Sequence, residues 1–402
     1  MKKLMYPWSD NWWIEDNKAW FCGGQIGALF CVDMKTQQCE FVARIPECKF
    51  ENFRLYSYCI KYMNKVFCLP SIEDNIWIYD IEENTWEKVE MGNSNQVETC
   101  LFSQERIRDR VYLYSITGEE LYEINLEKKE TKRVWNFLQC WDFPKYEQVN
   151  EGLYCIKNKE VTYFNISGDS KDPIVYKVSD IQTDFTTICY DGTNFWLSGY
   201  CKEIYVWNPE KGLIKRITEF PPKFGFYSFK KGEIPKLDCE SFMNKECSLF
   251  KESIALGKYI WFIPYRSNCL IYVDKETYEV FLLELENEYE TKDSIENHFM
   301  DHKFLLVYIY ENRYVGLYSL KNRCYFEIDT MKLCIRYPDY RLSEESTRAV
   351  VKNLVDNKTM FRESKKWDRE KYSLLLEAGY KNEASDHLYI GKMIYNSINA
   401  AD

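Results

Sequence analysis

A spacing pattern that recurs along the chain limits the fold more than any other feature of the sequence. Residues 64–86 read NKVFCLPSIEDNIWIYDIEENTW, where Phe67 lies thirteen residues before Asp80. Six other segments place an aromatic or apolar residue eleven to thirteen positions before an Asp or Asn, which gives seven copies at intervals of 40 to 66 residues. The pairs are Trp20 and Asp33, Phe67 and Asp80, Tyr112 and Asn125, Tyr154 and Asn165, Trp196 and Asn208, Trp261 and Asp274, and Leu317 and Asp329. Repetition with this period is typical of solenoids and propellers.

Each copy divides into four short strand-like segments. In the second copy these are RLYSYCIKY, KVFCLPS, NIWIYDI and TWEKVEM. Tight turns rich in Asn, Asp and Gly separate the first two segments, and such residues tolerate the positive φ of short hairpins. The recurring Asp or Asn follows the third segment, where its side chain can bond the backbone of the next turn. We therefore predict that these residues have a structural role and are not catalytic.

The sequence predicts an all-β fold, a seven-bladed β-propeller of four-stranded antiparallel blades. The aromatic content of 17% suits half-buried strands, and we expect the matched aromatic residues to pack between blades. The first and last copies each look complete, so we expect apolar packing, and no shared strand, to join the ends. The predicted blades are 8–48, 52–92, 96–138, 145–179, 184–218, 248–285 and 300–340.

Two segments of this repeat resemble the Kelch-like propellers. WFCGG at 20–24 matches the Kelch di-glycine strand, and IWIYDIEENTW at 76–86 matches its aromatic portion that ends in Asp and Trp. The resemblance extends over about residues 8–341, and it departs from the family because only the first copy keeps Gly-Gly. It implies a propeller that binds proteins or carbohydrates, since most Kelch domains do so and few are enzymes.

The pattern stops after Tyr340. SEESTRAVVKNLV, WDREKYSLLLEAGY and ASDHLYIGKMIYNSI have apolar residues at helical spacing, and Ser343 is a plausible N-cap of the first. We predict a propeller over residues 1–341 and a small helical C-terminal extension over residues 342–402.

The net charge and the cysteine content indicate which partners and which cell compartment to expect. The formal net charge is −10 at pH 7, and no basic stripe offsets it, so we expect no nucleic-acid partner. No apolar run approaches the ~20 residues of a membrane span, and the start lacks a secretory signal, so we expect no membrane insertion. The sixteen cysteines form no C-x2-C pair and mostly occupy apolar strand segments. We expect them to be reduced core residues in a cytoplasmic protein.

The sequence contains no recognisable catalytic motif. Of three histidines, His298 and His302 are four residues apart but have no evident third ligand, so we expect neither a metal nor a cofactor. A glycosidase needs two carboxylates on one sugar bond, and 63 acidic residues leave too many possible pairs. Two hypotheses remain: a non-catalytic binding or scaffold propeller, which we prefer, and a carbohydrate-active enzyme such as an epimerase, lyase or glycosidase.

The loops predict which end of the blades binds a ligand. Turns between the first and second and between the third and fourth strands are short. Connections between the second and third strands lie at the opposite end, vary in length and carry large side chains. Binding residues concentrate on such loops, and Tyr and Arg are favoured at binding hot spots. We predict a site formed by Tyr200, Tyr265 and Arg266, helped by Arg54, Lys251 and Glu252, with residues 224–229 as a lid.

Overall fold

The structure is a computed structural model that describes residues 9, 11–23, 27–48, 56–71, 73, 75–91, 99–101, 109–115, 120–136, 145–165, 173–228, 236–243, 248–284, 304–319, 324–343 and 345–350. These residues fall into two compact units. The terminal unit lies within residues 1–99 and 338–402, and the central unit lies within residues 100–337.

Within the described residues, 28 of the strands form seven four-stranded antiparallel sheets, each built from one copy of the repeat. The first sheet contains β1 (Trp13–Glu15), β2 (Lys18–Cys22), β3 (Ala28–Asp33) and β4 (Gln38–Arg44), and the second β5 (Tyr56–Tyr62), β6 (Lys65–Pro70), β7 (Asn75–Asp80) and β8 (Thr85–Glu90). The third contains β9 (Thr99–Leu101), β10 (Arg110–Ser115), β11 (Glu120–Asn125) and β12 (Glu130–Asn136), and the fourth β13 (Lys145–Val149), β14 (Gly152–Lys157), β15 (Glu160–Asn165) and β16 (Ile174–Lys177).

The fifth sheet contains β17 (Phe185–Tyr190), β18 (Phe195–Gly199), β19 (Ile204–Asn208) and β20 (Gly212–Ile217). A two-stranded hairpin of β21 (Phe226–Ser228) and β22 (Lys236–Asp238) follows it. The sixth sheet contains β23 (Phe250–Leu256), β24 (Tyr259–Pro264), β25 (Cys269–Asp274) and β26 (Val280–Glu284), and the seventh β27 (Phe304–Tyr310), β28 (Tyr314–Ser319), β29 (Cys324–Asp329) and β30 (Cys334–Arg336). The chain is thus an all-β, seven-bladed β-propeller, and the predicted fold class is confirmed.

The recurring Asp and Asn residues cap the turn between the third and fourth strands. Asp33 Oδ1 accepts hydrogen bonds from the backbone amides of Lys35 and Thr36 at 2.9 and 2.8 Å. Asp80, Asn125, Asn208, Asp274 and Asp329 accept one or two amides in the same way. The side chain replaces a backbone partner that a tight turn lacks, so the predicted structural role is confirmed for these six anchors.

Aromatic residues of the repeat fill the spaces between neighbouring sheets. In the terminal unit, Trp20 packs with Cys59 and Cys68 between the first and second sheets. In the central unit, Trp196 lies between the fifth and sixth sheets, and Trp261 between the sixth and seventh. Because a single sheet cannot bury both its faces, this packing between copies forms the core.

The segment that follows the seventh sheet adds a fifth strand to the first sheet. β31 (Arg341–Leu342) pairs in parallel with the outer edge of β4. Arg341 N donates to Gln37 O at 3.1 Å, and Ser343 N donates to Cys39 O at 3.2 Å. The expectation that apolar packing, and no shared strand, would join the ends is therefore corrected, since a strand that follows the last copy is bonded to the first sheet. A two-residue strand leaves no alternating pattern from which it could have been predicted.

A short helix, α1 (residues 345–350), begins the predicted C-terminal extension. Ser343 caps it as predicted, accepting from Ser346 N at 3.0 Å. Ser346 is itself buried, and its Oγ accepts a hydrogen bond from Phe41 N of β4 at 2.9 Å. The second and third predicted helices lie outside the described residues, and the domain boundary at residue 341 stays a prediction. In the part of the chain that the structure describes, no helix combines the length and apolar character of a membrane span.

Candidate ligand-binding surface

Two predicted site residues, Tyr265 and Arg266, lie on the loop between β24 and β25, and a single backbone carbonyl holds this loop. Leu249 O accepts hydrogen bonds from Tyr265 N, Arg266 N and Ser267 N, at 2.9, 3.1 and 3.2 Å. Leu249 is fully buried. The guanidinium carbon of Arg266 lies 5.9 Å from the centre of the Tyr265 ring, within the range of a cation–π contact. Both side chains are half-buried, so part of each faces solvent.

The loop that carries Tyr200 is bonded to the same residue. Leu249 N lies 3.4 Å from Gly199 O, the residue before Tyr200. Tyr200 N donates to Thr183 Oγ1 at 3.0 Å, and Thr183 precedes the inner strand of the fifth sheet. Gly199 is required here because a Cβ would come within 2.0 Å of Asp184 O. The structure therefore brings the Tyr200 and Tyr265 loops together through Leu249.

Lys251 and Glu252 begin the inner strand of the sixth sheet, two and three residues after Leu249. Glu252 Oε1 lies 2.6 Å from Nζ of Lys145, on the inner strand of the fourth sheet. The two side chains are 32% and 31% exposed, so the pair contributes well under ~1 kcal/mol to stability. We call Tyr200, Lys251, Glu252, Tyr265 and Arg266 the loop surface.

The segment predicted as a lid is anchored. Phe224 and Phe226 are 1% and 3% exposed and belong to the cluster between the fifth and sixth sheets. Asn268 bonds Gly225 in both directions, donating from N to Gly225 O at 3.1 Å and accepting from Gly225 N at 3.0 Å. Residues 224–227 are thus part of the core beside the loop surface, while Phe229 lies outside the described residues.

The chain between β20 and β23, which we call the insertion, includes the segment predicted as a lid, and its second half is bonded to the Tyr200 loop. Lys202 N donates to Phe242 O at 2.9 Å, and Lys202 Nζ donates to Cys239 O at 2.6 Å. The ammonium lies 5.6 Å from the Phe226 ring centre, and burial lowers the pKa of Lys202. The insertion between the fifth and sixth sheets therefore supports both loops of the loop surface from one side.

A buried carboxylate lies beneath the Tyr200 loop. Glu203 is fully buried, and its oxygens accept hydrogen bonds from the Tyr205 hydroxyl and from Arg216, whose Nε lies 2.6 Å away. Cys201 Sγ lies 3.5 Å from Glu203 Oε2. The hydrogen bond with Glu203 raises the pKa of Arg216, and burial raises the pKa of Tyr205 well above its ordinary value. Sequence reasoning missed this cluster, although an acidic residue beside the apolar run IYVW is its signal.

Arg54 and the histidines His298 and His302 lie outside the described residues. Across the described ranges, no group of three or more His, Cys, Asp or Glu side chains is arranged to hold a metal ion. The alternative of a carbohydrate-active enzyme stays a hypothesis, since no observation tests it.

Comparison with known proteins identifies an architecture and no family. No protein-family model matches the sequence, and no curated protein matches it. The chain is similar in fold to PorZ, an essential surface component of the type-IX secretion system of Porphyromonas gingivalis, with 10% identity and a TM-score of 0.50 over 82% of this chain. It spans 38% of the length of the PorZ chain.

Two further solved chains match with lower scores. A chain of the mitotic checkpoint complex has 12% identity and a TM-score of 0.48, covering 77% of this chain and 82% of that one. AztD of Citrobacter koseri has 9% identity and a TM-score of 0.44, covering 81% and 84%. At these identities, similarity shows the fold alone, because one fold hosts many functions.

Proposed function

We propose that this protein is a non-catalytic binding or scaffold propeller that recognises a protein or carbohydrate ligand at the loop surface. The observation that carries the proposal is the three-fold bonding of Leu249 O to the amides of Tyr265, Arg266 and Ser267. These three bonds fix the backbone of the loop that carries Tyr265 and Arg266 before any ligand arrives, which lowers the entropy cost of binding.

The side chains at this surface suit recognition. Tyr buries a large area, loses few rotamers on binding and keeps a polar hydroxyl, and Arg adds planar hydrogen-bond donors.

The proposal includes the Kelch-like family suggested by the sequence, and a cytoplasmic location. In support of that location, the thirteen cysteines whose side chains the structure describes are all free thiols, which fits a reducing compartment.

The test compares two double variants of the full chain, Tyr265→Ala with Arg266→Ala and Met331→Ala with Lys332→Ala. The control pair also removes a large side chain and a cation, from the exposed turn between β29 and β30. Both proteins and the wild type are screened on a glycan array and against candidate proteins. Loss of a hot-spot pair is expected to weaken binding by ~2 kcal/mol, or about 30-fold, and the control to keep wild-type affinity. Undiminished affinity of the Tyr265 and Arg266 variant, with its fold intact, would place the site elsewhere.

A further inference from the structure

The outer edge of the fourth sheet differs from the other outer edges in its exposed side chains. β16 reads IVYK, and Ile174 and Val175 are each 50% exposed. Its inner edge pairs with β15, and among the described strands none pairs with its outer edge. Such an edge presents unpaired backbone groups to solvent and is a template for a further strand.

The other outer strands carry features that oppose pairing. Exposed charges occupy β8, β12, β20 and β30. They are Glu87, Lys88, Glu90, Glu130, Lys132, Arg133, Lys215, Arg216 and Arg336. The apolar residues of β26 pack into the clusters on either side of it, and the edge of β4 is covered by β31. Charges on an edge strand act against intermolecular pairing. The only charged residue of β16 is Lys177, at the end of the strand.

The two faces of β16 are not equivalent. Tyr176 packs edge-on against Trp207 of the fifth sheet, with ring centres 5.3 Å apart. Since side chains alternate along a strand, Ile174 lies on the same face as Tyr176, and Val175 lies on the opposite face. A strand added at this edge would cover apolar side chains on both faces of the sheet.

We propose that β16 pairs with β16 of a second copy of this chain, antiparallel about a two-fold axis perpendicular to the sheet. Rotation about that axis leaves each side chain on the same face of the sheet. Two residues can therefore oppose each other only if their residue numbers add up to an even number. The register centred on Val175 sets Val175 against Val175 of the second copy, and Ile174 against Tyr176.

This register is self-complementary. It makes one β-branched pair and two aromatic–β-branched pairs, which are favourable cross-strand contacts in antiparallel sheets. Lys177 falls opposite Pro173, so the two copies set no like charges against each other. Pro173 has no amide hydrogen to donate and ends the ladder at this point.

The short ladder predicts a weak dimer. A strand of four residues buries far less than the ~1,200 Å² of a stable interface, so we expect the dimer to form only at high protein concentration. Analytical ultracentrifugation of the full chain, from ~10 μM to ~1 mM, is therefore expected to show the mean mass rising from one chain towards two. A mass of one chain throughout would overturn the proposal.

Charge variants on the two-fold axis test the register. Val175→Lys and Val175→Glu are each expected to remain monomeric, because like charges then face each other across the axis. An equimolar mixture of the two is expected to form a heterodimer. The matched control is Ile214→Lys, which charges another exposed β-branched residue on the outer strand β20 and should leave the wild-type dimer unchanged. A dimer that survives Val175→Lys, or variants that do not recombine in the mixture, would overturn the proposed pairing.

Discussion

The fifth and seventh sheets each bury a glutamate bonded to a tyrosine and an arginine, but they place it differently. In the seventh sheet, Tyr308 Oη donates to Glu327 Oε1 at 2.6 Å, and Arg336 Nε donates to Glu327 Oε2 at 2.5 Å. Tyr308, Gly316, Glu327 and Arg336 are directly opposed on the four successive strands. This cluster therefore joins all four strands in one row.

In the fifth sheet, Glu203 precedes the third strand, and its partners Tyr205 and Arg216 come from the third and fourth strands. The carboxylate lies at the end of the sheet that carries the Tyr200 loop, next to Lys202, which bonds the insertion. The same three residue types join the four strands in the seventh sheet and support the Tyr200 loop in the fifth sheet. The position of a buried carboxylate along its strand therefore decides whether it stabilises the sheet or a loop.

Truncation of either glutamate should have the largest effect. Glu203→Ala and Glu327→Ala are each expected to lower the free energy of unfolding by about 3 kcal/mol, because truncation leaves a cavity and removes hydrogen bonds to a buried tyrosine hydroxyl and to an arginine. Only Glu203→Ala should also speed amide hydrogen exchange in residues 200–203 and 236–243. Glu252→Ala, which breaks a partly exposed pair, is the matched control and should cost under ~1 kcal/mol. Equal exchange in these segments for both variants would contradict the division of roles.

The seventh cluster depends on the absence of a side chain at Gly316. A Cβ there would lie 2.1 Å from the Tyr308 ring, which crosses Gly316 to reach Glu327. Gly316→Ala is expected to cost about 2 kcal/mol by overpacking. In denaturant titrations, adding Tyr308→Ala should make the combined cost smaller than the sum of the two single costs. Additive costs would show that the ring does not need this space.

The turns of the two sheets should respond differently to acid. Asp329 is paired with Arg313, at 2.5 Å, and this contact lowers the pKa of Asp329 to about 2. Because the pKa of Asp329 is lower in the folded protein than in the unfolded chain, where it is near 3.8, the ionised carboxylate stabilises the fold at pH values above 3.8. This stability is lost as the pH falls towards 2. The contribution is at most about 2 kcal/mol.

The fifth sheet has Asn208 at the corresponding turn, where it accepts the amides of Glu210 and Lys211 without titrating. Asp329→Asn is therefore expected to keep the turn and to remove its share of the acid dependence. Urea unfolding at several pH values between about 2 and 5 measures how the free energy of unfolding depends on pH. If this dependence is the same in Asp329→Asn as in the wild type, other groups cause the acid sensitivity.

Loss of a single hydroxyl should have the smallest effect. Tyr205→Phe and Tyr308→Phe are each expected to cost about 1 kcal/mol, since Arg216 and Arg336 still bond the carboxylates. Tyr205→Phe also removes the acceptor of Gln182 N, which lies 3.3 Å from Tyr205 Oη, so it should cost slightly more. Thermal melting of the two variants side by side ranks them. A larger loss for Tyr308→Phe would mean that the row across the seventh sheet is the more cooperative cluster.

The seven sheets could be predicted because their causes are local. Residues such as Asp80 and Asn208 bond amides two and three positions away, and Trp20 and Trp261 recur at a spacing that strand length and turn chemistry set. The loop that carries Tyr265 and Arg266 could also be placed at one end of its sheet, since antiparallel strands alternate in direction.

The features that could not be predicted depend on distant partners. Nothing near Leu249 in the sequence indicates that its carbonyl would hold three amides, and Lys145 and Glu252 are 107 residues apart. Glu203 and Glu327 carried a usable signal, since each lies beside or within an apolar strand and precedes an arginine on the following strand. A buried charge of this kind needs a partner.

The pairing of β31 with β4 has a consequence for how the protein is made. Ser346 bonds Phe41 across 305 residues of chain. At ribosomal rates of roughly 5–20 residues per second, β4 would wait about 15 to 60 seconds for the strand that covers it. Through that interval the nascent first blade has an open edge, which is where a translating chain can pair with its neighbours on the same message. We expect slow or stalled synthesis before residue 341 to increase aggregation more than the stability of the finished protein would suggest.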